Sequence, residues 1–243
     1  MSHLHFVSTA AHGRRLERMG EEPWRITVSG APGLDNLSEV TPLSGTALER
    51  ALGLKLMSRP AMVTFHPATL ESLPPEKQIA EVLAALESFE GPVLLSRPNA
   101  DPGGRAVFKA MRAFAAKRRD ARVVESLGTA AYFGLMKAAA VMVGNSSSGL
   151  IEAPSFGLPV VNVGSRQGGR TRGGNVIDAP CRRKDVAGAL RRALSPAFRR
   201  KARKAGNPYQ PHGSAAKIIC DRLRSALLDD RLIMKRFHDG GRR

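Results

Sequence analysis

Short apolar runs alternate with longer amphipathic stretches along most of this chain. The runs at 61–65, 93–95, 122–125, 140–143 and 160–163 are bounded by glycine, proline or polar residues, and they read as strands. Between them, 74–89, 104–118, 130–138 and 147–156 carry helical spacing. Pro75 suits the first turn of its helix, where a missing N–H is not needed. Strands this apolar are buried on both faces, which implies a parallel sheet with helices on either side. Helices at 183–193, 196–204 and 214–228 follow. Ahead of this region, 4–7 and 25–29 read as short strands flanking a basic amphipathic helix, 10–19, stopped by Gly20. Breakers then cluster from Gly30-Ala31-Pro32-Gly33 to Gly53, so a boundary or hinge falls near 30–45. The tail 240–243 is expected to fray. The fold class is α/β, segmented as 1–32, 33–210 and 211–243.

Composition permits this core: 42% of the 243 residues are hydrophobic, though only 5% are aromatic. Charge changes the picture more. Lys and Arg number 38 against 21 acids, a net charge of +17. Such an excess attracts nucleic acid, acidic membrane surfaces or phosphorylated small molecules without choosing among them. Much of it lies in Arg182-Arg183-Lys184, Arg191-Arg192 and 199–204. Phe198 is the one ring near these runs, so a base-stacking surface is absent and nucleic acid is not the expected partner. A solvated helix face is the plainer reading. Cys181 and Cys220 fit neither a metal site nor a disulfide framework, which points to a reducing cytoplasm. No signal peptide is evident, no stretch approaches the ~18 apolar residues of a membrane span, and no membrane partner is expected. The histidines lack the H-E-x-x-H spacing of zinc enzymes, and neither metal nor cofactor is expected.

In open parallel sheets ligands bind beyond the carboxyl ends of the strands, so residues there carry most weight. His66 follows the first central strand. It can donate to a phosphate or move a proton, or be a half-buried histidine bonded to a backbone carbonyl. Pro67 keeps His66 extended and aims it outward. After the next strand, Asn99 can bond a hydroxyl or ring carbonyl, and Arg105, opening a helix, can meet an anion; a turn and helix cap would use the same residues. Gly144-Asn145-Ser146-Ser147-Ser148-Gly149 stands where a strand becomes a helix. N–H groups and hydroxyls there suit a pyrophosphate, the alternative being a serine cap on a buried helix. Glu152, further along that helix, suits ribose hydroxyls. Arg166 and Arg170, on a glycine-rich loop, suit a phosphate clamp or an exposed basic loop equally. A serine hydrolase fits poorly, since Ser147 lacks a G-x-S-x-G elbow.

Five segments, in order, resemble the hydrolysing UDP-N-acetylglucosamine 2-epimerases. They are Val63-Thr64-Phe65-His66-Pro67, Asn99-Ala100-Asp101-Pro102-Gly103, Gly144-Asn145-Ser146-Ser147-Ser148-Gly149, Glu152-Ala153-Pro154-Ser155-Phe156-Gly157 and Val161-Asn162-Val163-Gly164-Ser165-Arg166-Gln167. The resemblance runs from about Ser2 to Asn207. It implies the two-domain glycosyltransferase-B fold with a nucleotide-sugar in the cleft. On that basis His66, Asn99, Ser146, Ser147, Glu152 and Arg166 contact UDP, and backbone near Leu127 faces the uracil. The implied reaction eliminates UDP from UDP-N-acetylglucosamine to leave 2-acetamidoglucal. Water then gives N-acetylmannosamine, as in sialic-acid-type synthesis. Under this resemblance 1–32 is the last piece of a first Rossmann-like domain, 33–210 is the UDP-binding domain, and 211–243 is a C-terminal helix with a basic tail.

Two departures stand out. Asn207-Pro208-Tyr209 matches the family turn, but Gln210-Pro211-His212 replaces its glycine-aspartate-glycine. Family members also carry, ahead of the point where this chain begins, the domain whose acidic groups are assigned to proton abstraction at C2. A truncated or split epimerase is therefore the expectation. The alternatives are a non-catalytic UDP-sugar module completed by a partner chain or a homo-oligomer, and a basic nucleic-acid binder.

Overall fold

The computed structural model describes residues 2–68 and 71–239; the tail expected to fray, 240–243, lies outside them. The chain clusters into two units, Val40–Gly206 and a smaller one joining Met1–Glu39 to Asn207–Arg243.

The smaller unit begins with β1 (His5–Val7), α1 (Ala10–Arg18), β2 (Ile26–Val28) and α2 (Asn36–Glu39). β1 and β2 pair in parallel, with His5 opposite Ile26 and Val7 opposite Val28. Thr9 caps α1 by accepting the His12 amide, which satisfies one donor the helix cannot. Arg25 is fully buried. Its guanidinium donates to the Glu22 carboxylate at 2.7 Å and to the carbonyls of His3, Arg231 and Leu232.

The larger unit runs α3 (Gly45–Leu52), β3 (Ala61–Thr64), α4 (Pro75–Leu86), β4 (Val93–Ser96), α5 (Gly104–Ala116), β5 (Ala121–Val124), α6 (Gly128–Ala138), β6 (Val141–Gly144), α7 (Ser148–Ile151), β7 (Val160–Val163), β8 (Val176–Ala179), α8 (Arg183–Leu194) and α9 (Pro196–Lys204). The six strands form one parallel sheet in the order β5-β4-β3-β6-β7-β8. Val63, Leu95, Val143 and Val161 are fully buried in it. Each such side chain contributes about 1.5–3 kcal/mol by leaving water. α4 lays Ile79, Val82, Leu83 and Leu86 on the core, at the three- and four-residue spacing of one helical face.

Two elements here were not anticipated. α3 buries only Leu48 and Leu52, too sparse a stripe to stand out. β8 is an edge strand of alternating burial, and the breakers Gly173, Gly174 and Asn175 precede it. One expected element is broken. The helix read at 147–156 ends after one turn at Ile151, and a 3-10 turn, Ala153–Phe156, follows with Pro154 inside it. Proline lacks the N–H that an α-helix would need there.

The smaller unit resumes with α10 (Ala215–Arg224) and α11 (Asp230–Ile233). α10 is shorter than the expected 214–228. The Asp35 carboxylate accepts the amides of Ala215 and Ala216 and the Ser214 hydroxyl, at 2.8–2.9 Å. The Ala31 amide reaches the Tyr209 carbonyl at 3.0 Å. These bonds group 207–239 with the first segment, whereas the sequence suggested a separate piece from 211. Among the described residues, no helix is long and apolar enough to cross a membrane.

Candidate functional site

The sheet has a topological switch point. From β3 the chain leaves through α4 towards β4 on one side, and from β6 through α7 towards β7 on the other. The loops after β3 and β6 diverge and leave a crevice between them, where open α/β sheets take ligands.

Gly144 lets the two strands close at this point. It pairs with Thr64 and has φ +140°. A Cβ there would lie 2.0 Å from the Thr64 carbonyl oxygen. Asn145 then staples the two strand ends. Its side-chain oxygen accepts the His66 amide at 2.7 Å, and its amide nitrogen donates to the His66 carbonyl at 2.8 Å. Its own carbonyl accepts from Gln167 at 2.7 Å and from the Arg166 guanidinium at 3.2 Å. The loop after β7 is thereby tied to the same point.

His66 is half-buried. Its Nδ1 accepts the Asn99 backbone N–H at 3.1 Å. That bond needs an unprotonated Nδ1, so the neutral ring carries its proton on Nε2. Burial first, then the nearby Arg166 charge, holds its pKa below the ordinary histidine value, against a smaller opposing effect of Asp101. His66 is therefore a neutral N–H donor at pH 7.

Asn99 donates through its side-chain nitrogen to Asp101, and its side-chain oxygen is buried without a partner. The loop 97–105 and Phe108 line a cleft of about 710 Å³, with Arg105 exposed on its wall.

Beyond β6, Ser146 is buried and its hydroxyl accepts the Ser148 amide at 3.3 Å. The Ser146 and Ser148 hydroxyls are 3.2 Å apart. Tyr132, from α6, shares hydrogen bonds with Ser148 and Thr64, and burial raises its pKa. Ser96 adds its hydroxyl to Thr64 at 2.8 Å. With α7 only four residues long, a helix dipole explains little here; hydroxyls and amides remain. Glu152 closes α7. Burial pushes its pKa up, opposed by its own backbone amide, and Oε2 is buried with no hydrogen-bond partner. A carboxylate oxygen in that state is poised to accept from a ligand hydroxyl.

The fold thus gathers His66, Asn99, Ser146 and Arg166 around Asn145, with Ser147 the next residue in the chain and Glu152 at the far end of the same turn. Arg105 stands on the neighbouring cleft. Leu127 lies past the end of edge strand β5 as the N-terminal cap of α6. Among the described residues, no hydrogen bond or ion pair links Arg105 or Leu127 to the Asn145 group. Asn145 and Gln167 lie within the sequence motifs without a role of their own there, and Tyr132 lies outside those motifs. Asn145 had a signal, a lone amide directly after an apolar strand; Tyr132 lies mid-helix and had none. Among the described residues no three His, Cys, Asp or Glu side chains cluster to hold a metal.

A family profile described as UDP-N-acetylglucosamine 2-epimerase matches residues 1–224. A curated relative from Campylobacter jejuni, GDP/UDP-N,N'-diacetylbacillosamine 2-epimerase (hydrolyzing), is 34% identical over 241 residues. The match covers 98% of this chain and 62% of that protein, so the chain spans well under the relative's full length. Among solved structures, a Listeria monocytogenes protein described as a UDP-N-acetylglucosamine 2-epimerase superposes with TM-score 0.74 at 20% identity, over 91% of this chain and 58% of that one. S. aureus MnaA, in a co-structure with UDP, gives 0.73 at 17% identity, over 91% and 58%. At these identities the structures speak for the fold, the α/β architecture of these enzymes.

Proposed function

Because this chain belongs to the UDP-N-acetylglucosamine 2-epimerase family, we propose that its larger unit is the nucleotide-holding part of a hydrolysing UDP-sugar 2-epimerase. The observation that carries this is the switch-point crevice, where neutral His66, cationic Arg166 and the serine turn converge on Asn145.

In this reading the Ser146 and Ser147 amides and hydroxyls receive the diphosphate. Arg166 balances its charge, and His66 donates from Nε2 to a phosphate oxygen. Glu152 accepts from the ribose hydroxyls, which satisfies its orphaned oxygen. Asn99 bonds the nucleotide or its sugar, Arg105 sits on the anion's approach, and backbone near Leu127 faces the base. The reaction eliminates UDP from a UDP-linked 2-acetamido sugar, of which UDP-N-acetylglucosamine is the simplest, to leave a 2-acetamidoglucal. Water adds to give the 2-epimeric free sugar, the N-acetylmannosamine class that feeds sialic-acid-type synthesis. As the C1–O bond breaks, negative charge grows on the departing diphosphate. Donors already fixed around it lower that barrier without reorganising. No residue of this chain is assigned the C2 proton. A cytoplasmic location, where UDP-sugars are made, belongs to the same proposal.

The test is a melting experiment with UDP. A ligand bound only by the folded state adds about 2.7 kcal/mol at a hundred times its Kd, so millimolar UDP is expected to raise Tm. Ser146→Ala and Arg166→Ala are expected to shrink the rise. No rise at millimolar UDP overturns the nucleotide reading. Release of UDP from UDP-N-acetylglucosamine by this chain alone would establish catalysis and exclude a non-catalytic module.

A further inference from the structure

The amino ends of the sheet strands, opposite the crevice, carry a second chemistry. From Arg182 to Lys204 the chain has ten cations and one acid, Asp185. α9 buries Phe198 and Ala202, four residues apart, which leaves its cations on the remaining faces. Arg199 and Arg203 share one of these faces. A Cβ added at Gly157, in the turn leading into β7, would lie 3.0 Å from the Arg203 Cα, so α9 passes the amino end of that strand. Arg59 stands at the same end, just before β3. Its guanidinium donates to the carbonyls of Ala138 and Ala139, at the entrance to β6. Burial, then repulsion from Arg199 and Arg203, pulls the Arg59 pKa below its ordinary value. Arg59 and two arginines of α9 therefore lie together at the amino ends of neighbouring strands β6 and β7, and α9 itself contains no acid. Two residues before Arg59, Met57 is 88% exposed, with exposed Lys55 beside it.

Like charges gathered this way repel until a dense anionic surface neutralises them. Arg59 and Arg203 are exposed, so they face outward rather than into an enclosed cradle for one small anion. The nearby ring, Phe198, is buried and offers no platform for a base. Met57 offers an aliphatic chain instead. Cations around a protruding apolar side chain match lipid headgroups over acyl chains. We propose that this face of the larger unit, with Arg59, Arg199, Arg203 and Met57 at its centre, docks on an anionic phospholipid surface. The nucleotide crevice, at the other ends of the strands, stays open to the solution when it does. The sequence suggested no membrane partner because it shows no spanning segment; a tertiary patch of this kind needs none.

The full chain is tested by co-sedimentation with phosphatidylcholine vesicles, with and without phosphatidylglycerol, at low and physiological salt. Binding is expected only with phosphatidylglycerol and is expected to weaken as salt rises. At about 1 kcal/mol per basic residue, Arg199→Ala with Arg203→Ala lowers partitioning about thirtyfold. Met57→Ser lowers it about tenfold by removing a buried apolar side chain. Arg59 is left intact because its bonds to Ala138 and Ala139 are structural. Each variant's melting temperature and UDP response should match the parent's, which shows folding and separates this proposal from the nucleotide reading. Equal binding to both vesicle types overturns it, as does parental binding by the double variant. Salt-sensitive binding of single-stranded RNA without vesicle binding also overturns it, in favour of nucleic acid.

Discussion

Glu152→Gln should separate stability from binding at one atom. Oε2 of Glu152 is buried without a hydrogen-bond partner, and burial raises the pKa of the carboxyl. A carboxyl whose folded pKa lies above its unfolded one takes up a proton more readily in the folded state. Its ionisation begins to cost stability as pH rises past the unfolded value, and the cost is complete above the folded pKa. At neutral pH, then, the buried Glu152 carboxylate costs stability. An unsatisfied buried polar group costs about 1–3 kcal/mol. Glutamine has the same shape and still leaves a polar atom unpaired, so only the part due to charge returns, about 1 kcal/mol. For a chain of this size that raises Tm by roughly 2–4 °C. Binding should move the other way. If Glu152 accepts from ribose hydroxyls, those charge-assisted bonds are worth about 1.5–3 kcal/mol, and UDP affinity falls about ten- to a hundredfold. The assay is a thermal melt of parent and variant with a UDP titration, at pH 7 and again near the ordinary glutamate pKa. The variant's advantage should shrink at the lower pH, where the parent carboxyl is protonated. A variant less stable than the parent without UDP would refute the burial argument; unchanged UDP affinity would refute the ribose assignment.

Gly144→Ala forces a Cβ onto the Thr64 carbonyl at a positive φ, so it should destabilise by about 3 kcal/mol or more and loosen the crevice, read as a lower Tm with a smaller UDP response. Arg25→Ala strips donors from the carbonyls of His3, Arg231 and Leu232, and at about 3–5 kcal/mol for breaking a buried pair it should speed hydrogen exchange through 229–239. His66 has a depressed pKa, so its contribution is intact above the unfolded histidine value of about 6.5 and is lost as pH falls from there through the folded pKa. Melts across that range should show the loss, and His66→Asn should remove that part of the pH dependence.

Much of the fold was legible because the sheet is buried on both faces. Its four inner strands show as short, largely apolar runs, edge strand β5 shows only through Val123 and Val124, and Pro75 marks where a helix begins. β8 was hidden because an edge strand needs only every second residue apolar. The helix read at 147–156 failed at Pro154, where backbone chemistry overrode a small, apolar pattern.

Local order along the chain also determined which strand ends carry polar residues, since a strand must hand over to a loop, and it was enough to point to His66, Asn99, Ser146 and Arg166. Tertiary structure alone decided that these meet. β3 and β6 are far apart in sequence and adjacent in the sheet, and the Asn145 amide can bridge them only once Gly144 has brought the Thr64 carbonyl close. The same holds for Arg59 with α9 and for the orphaned oxygen of Glu152. Their energies come from desolvation and from charges across space, and neither quantity exists until the chain is folded.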